Sequence, residues 1–250
     1  MATLKQAIPA DGHEIPAIPM TLGTWNLDAQ QPLGRRADQR SWLARHADIW
    51  MLSEVHTMAL PDAMHRTLSE PVEGMNRIHW AGITSTWPLE PIATEHPTLA
   101  LARVHAPAEE VLVAASLLPW RSAGPLWPSG EGTFRERFSA TLQQHQAAVG
   151  ENTSAGDLVV WGGDFNQALA GDETAGTLDG RIELAAAFAS LGLRSITERN
   201  PAFGSRGLSI DHIAVSTASR CRSSSCEVYG PDGTGLSDHP VYLAQVGANL

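Results

Sequence analysis

The sequence predicts an α/β fold in which two packed mixed β-sheets are covered by helices. Three observations carry this reading. Short apolar runs such as Met51-Leu52, Leu158-Val159-Val160-Trp161 and Ile213-Ala214-Val215 read as buried strands. Helical spacing appears only in a few segments interspersed among them. No internal repeat and no linker long enough to separate domains interrupts the 250 residues.

In chain order, residues 1–19 read as an irregular leader and 20–250 as one domain. A strand is expected at 20–26, a helix at about 35–47 and a strand at 48–54. A loop through Pro61 follows, with room for a short helix. Strands are expected near 77–86, 98–105 and 110–118. The helix near 134–149 begins with Thr133-Phe134-Arg135-Glu136, a capping box, and repeats Phe134, Phe138, Leu142 and Val149 on one face. Strand 158–163 precedes a helix at 180–191, with Asp179 as N-cap and Gly192 as its end. Strands near 193–197, 209–216, 225–229 and 240–246 complete the set. Gly/Pro-rich stretches at 119–132 and 200–207 read as loops.

An apolar content of 43% and a charged content of 18% describe a globular chain with a sizeable core. There is no apolar stretch of 18 residues, hence no transmembrane segment, and Met1 to Met20 lacks the apolar centre of a secretory signal. The only cysteines are Cys221 and Cys226. They are placed to pair across a hairpin, but two free thiols in a cytoplasmic protein fit such sparse use better. Two cysteines alone are too few for a zinc site. The net charge of −10 argues against tight, sequence-blind binding of nucleic acid, which depends on basic side chains. A bound dication supplies local positive charge, so a nuclease stays possible. Arginine clusters at Arg35-Arg36-Arg40 and Arg135-Arg137 read as solvated helix faces.

The chemistry concentrates in five segments: Thr24-Trp25-Asn26, Leu52-Ser53-Glu54, Gly163-Asp164-Phe165-Asn166, Ser209-Ile210-Asp211-His212 and Ser237-Asp238-His239-Pro240. Carboxylates, carboxamides and one imidazole delivered by separate strand ends can converge on one point. That set suits a hard divalent metal and a phosphate. Glu54, after an apolar strand, is the best single metal-ligand candidate. Asp164 and Asn166 lie two apart, so an extended strand end turns both to one side and Phe165 into the core. Gly162-Gly163 permit close backbone approach to a ligand. His212, adjacent to Asp211, faces the other way and reads as structural, and His56 reads as a loop residue.

In order and spelling, these segments resemble the endonuclease/exonuclease/phosphatase superfamily, including its exonuclease III-like and deoxyribonuclease I-like members. Gly-Asp-Phe-Asn and Ser-Asp-His-Pro are the specific part, and the match runs from Asn26 to His239. The resemblance implies a four-layer α/β sandwich and a metal-dependent phosphoric ester hydrolase using Mg²⁺ or Mn²⁺. It implies that Asp164 holds or deprotonates the attacking water and that Asn166 donates to the phosphoryl oxygens. By the same resemblance His239 donates to the phosphate, Asp211 accepts from its other ring nitrogen, and Asp238 lies at or near the metal. Asn26 would orient Glu54 or touch the metal shell.

One position departs from the family. The strand ending in Pro119 usually carries a His or Tyr where this chain has Leu117, which neither donates nor titrates. General acid–base help is worth roughly 10²–10⁴-fold, so a substitute is expected. A hairpin around Ala108 sets Leu117 beside Thr98 and brings His96 to the same end, which makes His96 and Arg121 the candidates. Trp120 and Trp127, in the 119–132 loop, either offer stacking surface to a base or pack at the core edge. The resulting expectation is a phosphodiesterase or nuclease. The alternatives are an enzyme acting on a small or lipid-derived phosphate and a catalytically weak binding protein. No protein partner is readable.

Overall fold

The computed structural model describes residues 19–124, 127–128, 131–172, 175–202 and 207–247. All of the expected leader except Pro19 lies outside the described residues. In chain order the elements are β1 (Met20–Asn26), α1 (Leu33–His46), β2 (Ile49–His56), β3 (His65–Leu68), β4 (Pro71–Val72) and β5 (Met75–Ser85). Then come β6 (Leu89–Ile92), β7 (Leu99–His105), β8 (Glu110–Leu117), α2 (Phe134–Glu151) and β9 (Leu158–Asp164). The last are α3 (Leu178–Ser190), β10 (Leu193–Ser195), β11 (Asp211–Ser216), β12 (Cys221–Cys226) and β13 (Val241–Val246).

The strands form two sheets. One runs β12-β13-β1-β2-β5-β3, with β4 also on β5, and the other runs β10-β11-β9-β8-β7-β6. Each is mixed, because β1–β2 and β8–β9 are parallel while their neighbours are antiparallel. Alternation within the strands sorts the apolar residues. Leu22, Ile49, Met51, Ile83, Val111, Val113, Val160, Ile213 and Val215 fill the space between the sheets. Trp25, Trp50 and Leu52 turn outward and pack with Leu43 of α1. Leu112, Ala114, Val159 and Trp161 turn outward from the other sheet and meet Phe138 and Leu142 of α2 and Leu184 and Phe188 of α3. Helix, sheet, sheet and helix therefore form four layers. Each fully buried Leu, Ile or Val contributes about 1.5–3 kcal/mol to holding them together. No helix among the described residues is long and apolar enough to cross a membrane.

The helix signals behave unevenly. Thr133 and Glu136 close the capping box as read, with Glu136 N–H donating to Thr133 Oγ1 at 3.3 Å and Thr133 N–H to Glu136 Oε2 at 2.7 Å. Asp179 is not a cap. Thr177 occupies the N-cap of α3, accepting from Gly180 N–H, and Asp179 sits in the first turn paired with Arg135 at 2.8 Å. Arg137, expected on a solvated face, is buried and donates to the Gly132 carbonyl. The last edge strand spans Cys221–Cys226 rather than 225–229. Its Cys-Arg-Ser-Ser-Ser-Cys sequence carries no apolar alternation, and pairing with β13 alone defines it. The short edge strands β3, β4 and β6 escaped the sequence reading for the same reason.

Gly162 and Gly163 are required small by the scaffold itself. A Cβ on Gly162 would lie 2.7 Å from Met51 Sδ across the sheets. Gly163, at φ +134°, would drive one to 2.0 Å from the Ser116 carbonyl. Gly162 lets the two sheets close, and Gly163 lets β9 pair with β8, at the place where Asp164 emerges.

Candidate active site

Strand direction brings the polar segments to one end of the sandwich. β1, β2, β8 and β9 end there, while the antiparallel β11 and β13 begin there. Asn26, Glu54 and Asp164 thus sit at strand C-termini, with Asp211 and the segment before β13 facing them. Asp211 is the direct ladder partner of Asp164.

Asn26, only 1% exposed, links the two sheets. Its Nδ2 donates to Glu54 Oε1 at 2.9 Å and to Asp164 Oδ2 at 3.1 Å. The other oxygen of Asp164 accepts from Asn166 N–H at 2.8 Å, closing an Asx turn in which Asn166 takes φ +49°. That turn replaces the simple extended end expected from the two-residue spacing, and Phe165 still points into the core. Asn166 Nδ2 donates to the Leu118 carbonyl at 3.0 Å, which leaves its second hydrogen available. Glu54 also takes a left-handed backbone, φ +48°, just past the end of the β1–β2 ladder and between the Ser53–Ala81 and Val55–His79 pairs of β2 with β5.

His239 completes the group. Its Nδ1 lies 2.7 Å from Asp211 Oδ2 and its Nε2 lies 4.0 Å from Asp164 Oδ2. Ser237 holds this segment in place, donating to the Asn26 carbonyl at 2.6 Å and accepting from His239 N–H at 3.1 Å. Burial by itself would lower the pKa of His239. Attraction to Asp211, the hydrogen bond with it, and the charges of Asp164 and Asp238 outweigh that, and the ring is held well above the usual imidazole range. Asp164 is pushed up to about 7 by desolvation and by repulsion from Asp211, against the pull of His239, Asn166 and Asn26.

The residues present suit a hard cation. Burial raises the pKa of Glu54, Asn26 and His239 oppose that, and the nearby Asp28 and Asp238 raise it further. Carboxylates that disfavour one another's charge are relieved by a dication, and all-oxygen donors match Mg²⁺ or Mn²⁺. Asp164, Asp211 and His239 also bring ligand atoms within 4.8 Å of one another, and one Asp211 oxygen is buried without a hydrogen-bond partner. A protonated imidazole whose Nδ1 is tied to Asp211 has no lone pair to offer a cation, which leaves the carboxylates as the donors. Asp238 is exposed beside Glu54. Asp28, two residues beyond Asn26, joins the group without standing in any of the five segments.

The remaining residues fall elsewhere. His212 is buried and structural, Nε2 lying 2.8 Å from the Gln167 carbonyl. His56 ends β2 rather than lying in a loop, and its Nδ1 accepts from Met58 N–H at 3.1 Å. The β7–β8 register sets Leu99 against Ser116, and Leu117 N–H donates to the Thr98 carbonyl, so His96 is at the site end. Its ring, however, is buried against Thr98 and His145 at 3.0 and 3.2 Å, with its pKa lowered to about 4 by desolvation. Arg121 Nε donates to the Gly176 carbonyl at 2.8 Å. Neither side chain is brought into the Asp164–His239 group. Leu117 is fully buried with Ala123 and Trp127, and Trp80 and Trp120 pack against them.

Cys221 and Cys226 are both free thiols at opposite ends of β12.

A sequence model described as Endonuclease/Exonuclease/phosphatase family matches residues 23–239. A search of curated protein sequences returns no match. Among solved structures, the chain is similar to truncated Caenorhabditis elegans TDP2, with a TM-score of 0.65, 16% identity and coverage of 94% of this chain and 100% of that one. It is similar to D. rerio TDP2 complexed with single strand DNA product, at 0.65 and 15%, covering 92% and 99%. The endonuclease domain of TRAS1, a telomere-specific non-LTR retrotransposon, gives 0.61 and 15%, with 92% and 99% covered. At such identities these likenesses speak for the fold.

Proposed function

Because the chain belongs to the endonuclease/exonuclease/phosphatase family and is a metal-dependent phosphoester hydrolase, we propose that it is a phosphodiesterase acting on nucleic acid, with Asp164, Asn166 and His239 acting on the substrate. One observation carries this reading: Asn26 ties Glu54 to Asp164 while His239 sits between Asp164 and Asp211, all at one strand edge.

Glu54 would hold Mg²⁺ or Mn²⁺, with Asp238 and Asp28 beside it. The ion's contribution is to neutralise charge on the phosphoryl oxygens and polarise the ester. Asp164 accepts the proton of the attacking water, and its raised pKa matches that role near neutral pH. His239, protonated and oriented by Asp211, donates to a phosphoryl oxygen as charge grows there. Asn166 presents its second amide hydrogen to the same group. Asn26 and Asp211 are positioning residues. The TDP2 complex with a single-stranded DNA product motivates the nucleic-acid assignment. The charge of −10 favours the second reading, a small or lipid-derived phosphate. A cytoplasmic location belongs to the same proposal.

The test is product release from oligonucleotide, inositol-phosphate and phospholipid panels with Mg²⁺ or Mn²⁺. Asp164→Asn and His239→Ala are each expected to lower kcat by roughly 10²–10⁴-fold on whichever panel is turned over. Wild-type rates in either variant would sink the assignment.

A further inference from the structure

We infer that Trp80 and Trp120 form a stacking wall for the unpaired nucleobase next to the scissile phosphate, an inference that rests on the phosphodiesterase reading above. The two indoles stand on segments from the two sheets, each beside a stretch that carries a site carboxylate. In the β2–β5 ladder Ser53 pairs with Ala81 and Val55 with His79, so Trp80 stands opposite Glu54. In the β8–β9 ladder Leu117 pairs with Asp164. Leu118 N–H donates to the Asp164 carbonyl and the Leu118 carbonyl accepts from Asn166, and Trp120 follows two residues on.

The rings of Trp80 and Trp120 lie 6.4 Å apart, tilted by 49°. Behind them Trp127 is 6.0 Å from each and fully buried, its Nε1 donating to Thr141 Oγ1 at 3.1 Å. Trp127 is therefore a floor, not a stacking surface. Leu117 and Ala123 are buried beneath as well. Among the described residues of this cluster, only the two half-buried indoles reach solvent.

The chemistry selects the occupant. Where the family has a hydrogen-bonding donor, Leu117 itself offers a phosphate nothing. This side of the site offers two π faces, backed by a rigid layer, to a flat uncharged group carried on that phosphate. A chain of net charge −10 gains little affinity from phosphate neutralisation outside the metal site. Stacking supplies affinity that needs no basic side chains and tolerates any base, worth about 1–3 kcal/mol per base, or about 5- to 150-fold. Within a strand, an unpaired base that has left the stack exposes its face to such a wall.

The experiment scans one abasic residue through the nucleotides flanking the cleaved bond of a single-stranded oligonucleotide, with kcat/KM compared to the intact strand. Wild type should lose about 5- to 150-fold at one position. Trp80→Leu and Trp120→Leu, which keep apolar bulk without a ring, should abolish most of that penalty, and the Phe variants should restore it. No penalty at any position, or an undiminished one in both Leu variants, would overturn the wall. Calorimetric binding of dAMP, deoxyribose 5-phosphate and hexyl phosphate separates this inference from the function beneath it. If no oligonucleotide is cleaved but dAMP binds more tightly than both others, and the Leu variants lose that margin, the wall stands while the phosphodiesterase reading fails. Equal binding of dAMP and deoxyribose 5-phosphate, or of dAMP and hexyl phosphate, rejects the wall.

Discussion

Asn26 shows how one carboxamide can set the geometry of a site. It spends both Nδ2 hydrogens on carboxylates from different sheets, and Ser237 grips its backbone carbonyl. Asn26→Ala should lower kcat/KM or Mn²⁺ affinity by about 10- to 100-fold, measured by kinetics and titration calorimetry, as loss of a ligand-orienting partner generally does. Asp211 acts on His239 through charge. Replacing it in Asp211→Asn removes the foremost attraction raising the imidazole pKa, so the His239 resonance should titrate at lower pH in NMR spectra of the metal-free protein. An unchanged titration would mean that the ion pair is not what charges the ring. Most of these residues were legible in the sequence because each stands in a spelled motif beside an apolar run. Asp28 and Trp80 were not, since nothing local separates a polar turn residue or a strand tryptophan from one that faces a site.

At the scale of elements, the strand ends and the glycines decide whether the site can form. Gly163→Ala would combine a left-handed backbone with a Cβ 2.0 Å from the Ser116 carbonyl. It should cost about 1–3 kcal/mol or more in urea unfolding and displace Asp164. Thr133→Ala, at an intact capping box, should cost about 1 kcal/mol by the same measurement. Capping arithmetic chose Asp179 over Thr177 because both residue types cap well and boundaries drift by a residue or two. The polar edge strand β12 owes its existence to β13. It also separates its cysteines by five residues of extended chain, roughly 17 Å, far beyond disulfide reach.

Across the whole molecule, buried neutral histidines tie stability to pH. Desolvation lowers the pKa of His96 and His212 to about 4, and holds His145, on the buried face of α2, well below its ordinary value. Between about 6.5 and 4 the unfolded chain binds protons these rings refuse, so stability falls as pH drops through that window, by up to about 1.4 kcal/mol per unit for each ring. Asp164 and Glu54, with raised pKa values, work the other way, because the folded state takes up their protons first. In metal-free buffer the urea midpoint should decline from pH 7 to 5, and decline more steeply in Asp164→Asn, where one opposing carboxylate is gone. A shallower decline in the variant would reverse the sign assigned to Asp164.

What the sequence by itself determined was the alternation of apolar runs with short polar motifs, and with it the layered fold, the family and the identity of the carboxylates and imidazole. Those are local or spelled properties, carried by period and by neighbours in the chain. Only the tertiary structure decided that Asn26 bridges the sheets, that His96 and Arg121 are engaged elsewhere, and that tryptophans from β5 and the loop after β8 surround Leu117. These depend on strand order and register, which bring residues tens of positions apart within a few ångströms and leave no periodic trace along the chain.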